Sequence, residues 1–179
     1  MKTFILMAFY ISGGGDYIVL KGDDVGRGTG TGYFMDIGVN PAVDIYAGIG
    51  YRGLSADYRD TTFTMDGAYL FYRYDFHPVS FITLSGRLEG GIFKWGLEHN
   101  GERVQIITFI PPNQVDTTDV KGYCPGVGGN LGLIYRMGRF FLGVSGGAMY
   151  LTNADRDKFG KEDDNEWFYN GRAYIGIGF

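Results

Sequence analysis

The sequence has one cysteine, no long apolar stretch and no excess of basic residues, and each of these shortages excludes a class of protein or partner. A single cysteine, Cys124, cannot form an internal disulfide or a CxxC metal or redox site. No apolar run approaches the roughly 20 residues that a membrane-spanning helix needs. The 16 Lys and Arg residues are outnumbered by 20 Asp and Glu residues, so no basic excess points to nucleic acid as a partner.

Glycine and aromatic residues are abundant instead. The 31 glycines in 179 residues are more than twice the usual share of about 7%. Each glycine inside a helix costs roughly 1 kcal/mol, whereas a curved sheet uses glycine at bends and close approaches. The composition therefore favours a β protein, and the length fits one domain spanning residues 1–179.

The segment from Trp167 to Phe179 shows the clearest pattern. Its odd positions are mainly apolar, with aromatic residues at both ends, and its even positions are mainly small or polar and include Arg172. Because successive side chains on a strand point to opposite faces, the pattern predicts a strand with one apolar and one polar face. Aromatic residues at both ends of an apolar face are typical of the two membrane interfaces.

Seven further segments alternate in the same way, and together they predict an all-β fold, a closed antiparallel up-and-down barrel of eight transmembrane strands. The first strand is placed near Phe4–Gly14, although residues 1–13 also fit a short signal peptide. The alternative fold is a soluble lipocalin-like barrel, in which the apolar faces would point inward around a ligand.

The predicted connections alternate between short turns and long loops. The short turns are at 40–43, 77–80 and 137–138, and the long loops are at 21–31, 55–62, 96–122 and 152–166. Outer-membrane barrels have short turns on the periplasmic side and long loops outside the cell. An even number of strands then places both termini on the periplasmic side.

The whole chain resembles the eight-stranded outer-membrane barrels typified by the OmpA transmembrane domain, OmpX and OmpW. The alternating Ile175, Ile177 and Phe179 resemble the C-terminal signal that the outer-membrane assembly machinery recognises. The resemblance implies a protein of a Gram-negative outer membrane, in contact with its lipid and lipopolysaccharide. We expect a monomer.

Seven charged residues fall on the predicted polar faces. They are Arg52, Arg73, Asp75, Arg87, Glu89, Arg136 and Arg172. In a barrel of eight strands this face points into a narrow lumen that side chains nearly fill, where unpaired charges are costly. We therefore expect a lumenal charge network centred on Arg87, Glu89 and Arg172. The alternative is a narrow channel for small or apolar solutes.

The longest predicted loop contains a hairpin signal, Asn100-Gly101. The hairpin carries Trp95, Ile106 and Phe109, and an exposed edge with these residues would bind an extracellular or envelope partner by strand addition or apolar contact. The same hairpin would alternatively pack over the mouth of the barrel.

No catalytic, cofactor or metal site is expected. Only His77 and His99 are present, and a His-Ser-Glu constellation for a lipid-modifying enzyme would have to assemble from distant strands. The acidic segment from Asp155 to Glu166 has no EF-hand spacing and is predicted to be a solvated loop. The predicted function is non-enzymatic: an outer-membrane barrel whose loops serve surface interaction or envelope integrity.

Overall fold

The computed structural model describes residues 9–22, 26–110, 114–152 and 165–179, and its regular structure is entirely β. The strands of this part are β1 (Phe9–Gly22), β2 (Gly26–Ala42), β3 (Ile45–Tyr58), β4 (Thr61–Val79), β5 (Ile82–His99), β6 (Glu102–Arg103), β7 (Gln105–Ile110), β8 (Gln114–Asp119), β9 (Lys121–Met137), β10 (Phe140–Thr152) and β11 (Asn165–Gly178). None of the described segments is a helix with the length and apolar character needed to cross a membrane.

Eight long strands form one closed antiparallel barrel, which confirms the predicted fold. Their order is β4-β3-β2-β1-β11-β10-β9-β5, and pairing of β4 with β5 closes the ring. The paired residues can be followed from Asp16 around the barrel in both directions, and the two paths reach β9 at Gly122 and Gly132, ten residues apart. A stagger of this size corresponds to strands tilted by about 40° from the barrel axis.

One end of the barrel, which we call the lower end, contains the tight turns at 43–44, 80–81 and 138–139. Asp44 and Gly138 have φ values of 63° and 65°, a region that glycine enters without steric cost. The first turn begins three residues later than predicted, because β2 continues to Ala42 and Asn40 Nδ2 donates a hydrogen bond of 2.8 Å to the carbonyl of Ile45.

At the opposite, upper end, two predicted long loops are corrected to strand. Most of 21–31 belongs to β1 and β2, and most of 55–62 belongs to β3 and β4, which are joined by a two-residue turn at 59–60. The glycine-rich run 26–32, predicted as an external loop, begins β2. Gly30 lies so close to the backbone of β3 that an added Cβ would collide with it, so the glycine permits the close approach of the two strands.

The predicted hairpin after β5 is confirmed at its turn but not along its length. Asn100 and Gly101 have φ values of 52° and 80°, and β6 pairs with the end of β5. The next strand, β7, pairs with β8 rather than with β5. The chain leaves the barrel wall at Val104. The N–H of Val104 donates to the carbonyl of Leu97 (3.0 Å), and its carbonyl accepts from the N–H of Val120 (2.8 Å). We call β7 and β8 the arm.

Two predicted segments lie partly outside the described residues. The first strand is described from Phe9 onward and runs to Gly22, further than predicted, while residues 1–8 are outside. The predicted acidic loop 155–166 is described only at residues 165 and 166, where β11 begins.

Candidate functional site

The interior of the barrel consists of three side-chain groups stacked along its axis. The lower cluster contains Arg73, Asp75 and Arg136. The central network contains Asp16, Asp36, Arg52, Arg87, Glu89 and Arg172. The upper core contains Ile18, Leu20, Leu54, Ala56, Phe63, Met65, Phe93, Trp95, Cys124, Met149, Leu151 and Phe168. Charged side chains thus share the lower and middle lumen with buried aromatic residues such as Tyr10, Tyr46 and Phe71, whereas the upper lumen is filled by apolar side chains.

Four residues of the central network form a closed ring of ion pairs. Arg52 contacts Asp16 at 3.1 Å and Glu89 at 3.1 Å. On the other side of the ring, Arg172 contacts Asp16 at 3.0 Å and Glu89 at 2.7 Å. All four side chains are at most 3% exposed. Such pairs offset their desolvation only when their geometry is good, and in this ring each carboxylate contacts both arginines.

Arg87 joins Asp36 to this ring. Its guanidinium binds the Asp36 carboxylate through two nitrogens, at 2.6 and 3.0 Å, and its Nε lies 3.3 Å from Glu89. The hydroxyl of Tyr69 donates to Asp36 at 2.7 Å. The ring of Tyr69 lies against Gly50 on the neighbouring strand, where a Cβ would overlap it. The central network therefore balances three arginines with three carboxylates.

The lower cluster has two arginines and one carboxylate. Asp75 contacts Arg73 Nε at 2.9 Å and Arg136 Nη2 at 2.8 Å. The Arg73 guanidinium carbon also lies 4.7 Å from the ring centre of Tyr10 and 4.3 Å from that of Tyr46. Cation–π contacts of this kind stabilise a desolvated guanidinium by about 2 kcal/mol.

The seven charged residues selected from the sequence all lie within these two groups, but the selection omitted Asp16 and Asp36. Both acids lie on the inward faces of their strands, and both are at most 4% exposed. A requirement that every inward arginine have an acid partner would have found them. Tyr69, which anchors Asp36, was missed because its role depends on a glycine of another strand.

His77 contacts two polar side chains at the lower rim of the barrel. Its Nε2 lies 3.1 Å from Asp44 and its Nδ1 lies 2.8 Å from the hydroxyl of Thr83. The hydroxyl of Thr83 also accepts a hydrogen bond from Arg136 Nε at 3.2 Å. Although the residue types are those of a hydrolase triad, Thr83 is fully buried and is inaccessible to a substrate. The contacts join the lower turn to the barrel wall.

Trp95 belongs to the upper core, which corrects its assignment to an accessible hairpin. It is 9% exposed and stacks on Phe63 with ring centres 6.3 Å apart. Its position on β5 makes the side chain point inward. Leu97 and Val104 pack against the same core from above, so the base of the hairpin covers the barrel mouth.

The arm is anchored at its base by Asp119. This carboxylate accepts hydrogen bonds from Gln105 (3.0 Å), Arg103 (3.3 Å) and Lys121 (2.9 Å). These bonds, that of Lys121 first, lower the pKa of Asp119 to about 2. The side chains of Ile106 and Phe109 lie outside the described part of the chain, whereas Ile107 between them is 58% exposed.

The outer surface carries a belt of exposed apolar side chains. Its middle is aliphatic and contains Met35, Ile37, Ile49, Leu70, Leu84, Leu88, Ile92, Val127, Leu131, Leu133, Leu142, Val144 and Ile175. Aromatic residues border it towards the upper end at Tyr17, Tyr33, Tyr51, Tyr123, Trp167 and Tyr169, and towards the lower end at Tyr74, Phe76, Phe81, Tyr135, Phe140 and Phe179. Ile175 and Phe179, from the predicted assembly signal, are each 57% exposed in this belt, and Ile177 is partly exposed.

The polarity of the two wall faces reverses above this belt. On β5 the outward side chains are apolar up to Ile92 and become charged at Lys94 and Glu98. The inward side chains change in the opposite sense, from Arg87 and Glu89 to Phe93 and Trp95. Strands β3 and β4 change in the same way. The lower barrel is therefore apolar outside and has its charged side chains inside, whereas the upper barrel is polar outside and apolar inside.

Metal binding finds no support in the described part of the chain, where no group of three or more His, Cys, Asp or Glu side chains is placed to hold an ion.

Comparison with known proteins identifies the architecture. No protein-family model matches the chain, and no curated protein matches it in sequence. Among solved structures, Neisserial surface protein A is similar with a TM-score of 0.73 and 13% identity over 96% of this chain and 97% of that one.

Two further solved structures are similar to the chain in architecture. The attachment invasion locus protein Ail of Yersinia pestis has a TM-score of 0.56 and 13% identity, covering 96% of this chain and 97% of its own. A major outer membrane protein of Thermus thermophilus has a TM-score of 0.54 and 11% identity, covering 96% and 100%. These likenesses confirm the predicted resemblance at the level of fold: the chain has the fold of the small outer-membrane β-barrels.

Proposed function

We propose that the chain is an integral, non-enzymatic outer-membrane protein whose lower barrel lies in the bilayer and whose upper barrel stands in water outside the cell. The observation that carries the proposal is the reversal of polarity along the wall. A surface that faces lipid must be apolar, and one that faces water favours polar groups. The level of Ile92 and Lys94 on β5 then marks the outer membrane surface.

The height of the belt supports this placement. On β11 the outward aromatic residues Tyr169 and Phe179 are ten residues apart. At about 3.3 Å per residue and a tilt of about 40°, they are separated along the barrel axis by about 25 Å. The apolar band of outer-membrane barrels has about this height.

The orientation follows from the two ends. All three connections at the lower end are two-residue turns, whereas the upper end also carries the arm, so we assign the lower end, with Phe179, to the periplasm together with both termini. Ile175, Ile177 and Phe179 would be the signal read by the outer-membrane assembly machinery. The belt would contact outer-membrane lipid and lipopolysaccharide.

The proposed interior does not conduct. The upper core fills the lumen with large apolar side chains, including the fully buried Phe93, and the central network crosses the lumen below it. We therefore prefer a filled barrel to the narrow channel. Planar-bilayer recording of the purified, folded protein should show no single-channel steps, and reproducible steps would overturn this part of the proposal.

The upper end is the proposed interaction surface. The arm presents Ile107 and the exposed residues 116–118 beyond the barrel, and Asp119 holds its base. An extracellular or envelope protein would bind there through the arm. Deleting residues 105–119 and joining the ends with a short glycine linker should abolish such binding and leave the barrel folded.

Membrane insertion is tested with the two tryptophans. Trp167 is 44% exposed on the outer face, whereas Trp95 is buried inside. Single-tryptophan variants, Trp95→Phe and Trp167→Phe, are refolded into vesicles that contain brominated phospholipid. Strong quenching of Trp167 with little quenching of Trp95 is expected. Equal quenching of both, or of neither, would contradict the outward belt.

A further inference from the structure

We propose that the arm pairs with the arm of a second copy of this chain in the same membrane, through the edge of β7 that faces away from β8. This inference rests on the proposed function, because the membrane must hold both barrels in one orientation. It deepens that proposal by naming the partner of the upper end, a second copy joined by strand addition. In the membrane it replaces the expected monomer with a dimer.

The arm is a two-stranded sheet with both of its outer edges open. Among the described residues, β7 and β8 pair with each other and with no other strand. Both faces of this small sheet are open as well. Ile107 and Thr117 lie opposite each other on one face, Thr118 lies on the other face, and all three are exposed. A two-stranded hairpin alone is only marginally stable in water, so a further strand would stabilise the arm.

The two edges of the arm differ in charge. β7 has the sequence Gln-Ile-Ile-Thr-Phe-Ile, with no charged residue, no proline and no glycine. β8 has the sequence Gln-Val-Asp-Thr-Thr-Asp and carries two acids, Asp116 and Asp119. Charged residues on an edge strand discourage pairing with other chains, and an edge without them is open to it. The edge of β7 is therefore the one suited to a new strand.

A second β7 strand fits this edge. Short uncharged segments that are rich in β-branched and aromatic residues and lack proline and glycine pair readily with identical segments of other chains. Two β7 strands meet without charge repulsion, whereas two β8 edges would bring the acids of both copies together. Use of the same edge by both copies gives a symmetric dimer, the commonest form of homo-oligomer.

The membrane favours a second copy over a soluble partner. Copies inserted in the same orientation hold their arms at the same height above the bilayer. Confinement to one surface raises the effective concentration of one arm for another, as a linker does for two binding modules. A soluble extracellular strand has no such advantage, so an edge of six residues pairs more readily with the arm of a neighbouring barrel.

Crosslinking at matched positions tests which edge is used. In a Cys124→Ala background, Ile107→Cys on β7 and Thr117→Cys on β8 are refolded into vesicles at low protein density and treated with a short bismaleimide. The two positions lie opposite each other and both are exposed, so they differ in edge but not in distance from the barrel. Abundant dimers are expected for Ile107→Cys and few for Thr117→Cys. Equal yields, or a higher yield for Thr117→Cys, would overturn the proposal.

Energy transfer tests the pairing without a covalent link. Donor and acceptor dyes are attached to separate batches at Glu102→Cys, an exposed position near the base of the arm, again with Cys124→Ala. The batches are mixed and refolded into vesicles, and the protein lacking residues 105–119 gives the transfer due to random proximity. Ile107→Lys in both batches places like charges between the two β7 strands and should lower the transfer to that level. Thr117→Lys, the control on β8, should leave most of it.

The identity of the partner is tested by exchanging the sign of the charge. Ile107→Glu alone should also show only random transfer. A mixture of the Ile107→Lys and Ile107→Glu proteins should regain the wild-type transfer, because opposite charges then meet between the strands. No recovery in the mixture, or a wild-type transfer equal to that of the shortened protein, would overturn the proposal. Strong quenching of Trp167 by brominated lipid in the same vesicles would show that such a failure concerns the pairing and not membrane insertion.

Discussion

The lower and upper parts of this barrel share the same eight strands but have opposite interiors. The lower part is crossed by ion pairs such as Arg172–Glu89, and the upper part is packed with apolar side chains such as Phe93 and Trp95. Their outer faces differ in the opposite sense. The proposed placement explains the difference, because lipid around the lower wall would accept apolar side chains on its outer face, whereas water around the upper wall would favour burying them inside.

The comparison indicates that two kinds of interaction hold one wall together. Below the proposed membrane surface, stability depends on charge pairs that must all be present. Above it, stability depends on apolar burial and on packing without voids, as in soluble proteins. Substitutions in the two parts should therefore differ in size and in the chemistry that rescues them.

The largest effect is expected for Glu89→Gln. Glu89 contacts Arg52, Arg87 and Arg172, so its neutralisation leaves buried guanidinium groups without compensation. We expect a loss of about 3–5 kcal/mol in the free energy of unfolding. Equilibrium urea unfolding in phospholipid vesicles measures it. The control is Glu102→Gln, an exposed residue that should change stability little; similar losses in the two variants would contradict the network.

A somewhat smaller effect, about 3 kcal/mol, is expected for Phe93→Ala in the upper core. Phe93 is fully buried, and its removal loses apolar burial and leaves a cavity. Leu131→Ala is the control, since Leu131 is 77% exposed on the belt and no cavity forms there. Unfolding in vesicles again gives the values. If both variants lost the same amount, the upper core would not be packed as a soluble core is.

Much of the contrast between the lower and the upper barrel was visible in the sequence but was interpreted incorrectly. On β5 the alternation through Ile82, Leu84, Leu88 and Ile92 predicted the membrane-spanning part of the strand, and the residues after it were assigned to a hairpin beyond the membrane. The strand continues to His99 with its faces exchanged. When one face is expected to stay apolar, a reversal of the polarity of the two faces looks like the end of a strand. For this reason the segments 21–31 and 55–62 were predicted to be long loops.

Other features of the site depend on contacts between distant strands and leave no local signal. The ring of Tyr10 fits inside the barrel because Gly38 of β2 presents no Cβ there. The pairing of Arg172 with Glu89 depends on their positions across the lumen, which the stagger of the closed barrel determines. The barrel, its strand number and its polar faces were predictable, whereas the partner of each charge was not.

A moderate effect, about 1.5–2 kcal/mol, is expected for Tyr69→Phe. The substitution keeps the ring against Gly50 and removes only the hydroxyl that donates to Asp36 at 2.7 Å, a hydrogen bond to a charged group. Tyr72→Phe on the exposed face, where the side chain is 48% exposed, provides the matched control. A loss no larger than that of the control would show that Arg87 alone suffices to hold Asp36.

The smallest effect on the barrel is expected for Asp119→Asn, because this residue anchors the arm. The pKa of Asp119 is lowered from 3.8 to about 2, so its stabilisation of the arm is complete above pH 4 and is lost as the pH falls towards 2. Amide-exchange protection of residues 105–119 should fall over that range, and in the variant should be low throughout. Asp116→Asn is the control, and an equal loss in both variants would contradict the anchor.

The reversal of polarity on β5 can be tested most directly with spin labels placed along the strand. In a Cys124→Ala background, Leu88→Cys, Leu97→Cys and Glu98→Cys are labelled and studied in vesicles with oxygen, which concentrates in lipid, and a water-soluble nickel complex. We predict that the label at 88 responds mainly to oxygen, the label at 98 mainly to nickel, and the label at 97 weakly to both. Nickel access at 88 equal to that at 98 would contradict the proposed membrane level and the account built on it.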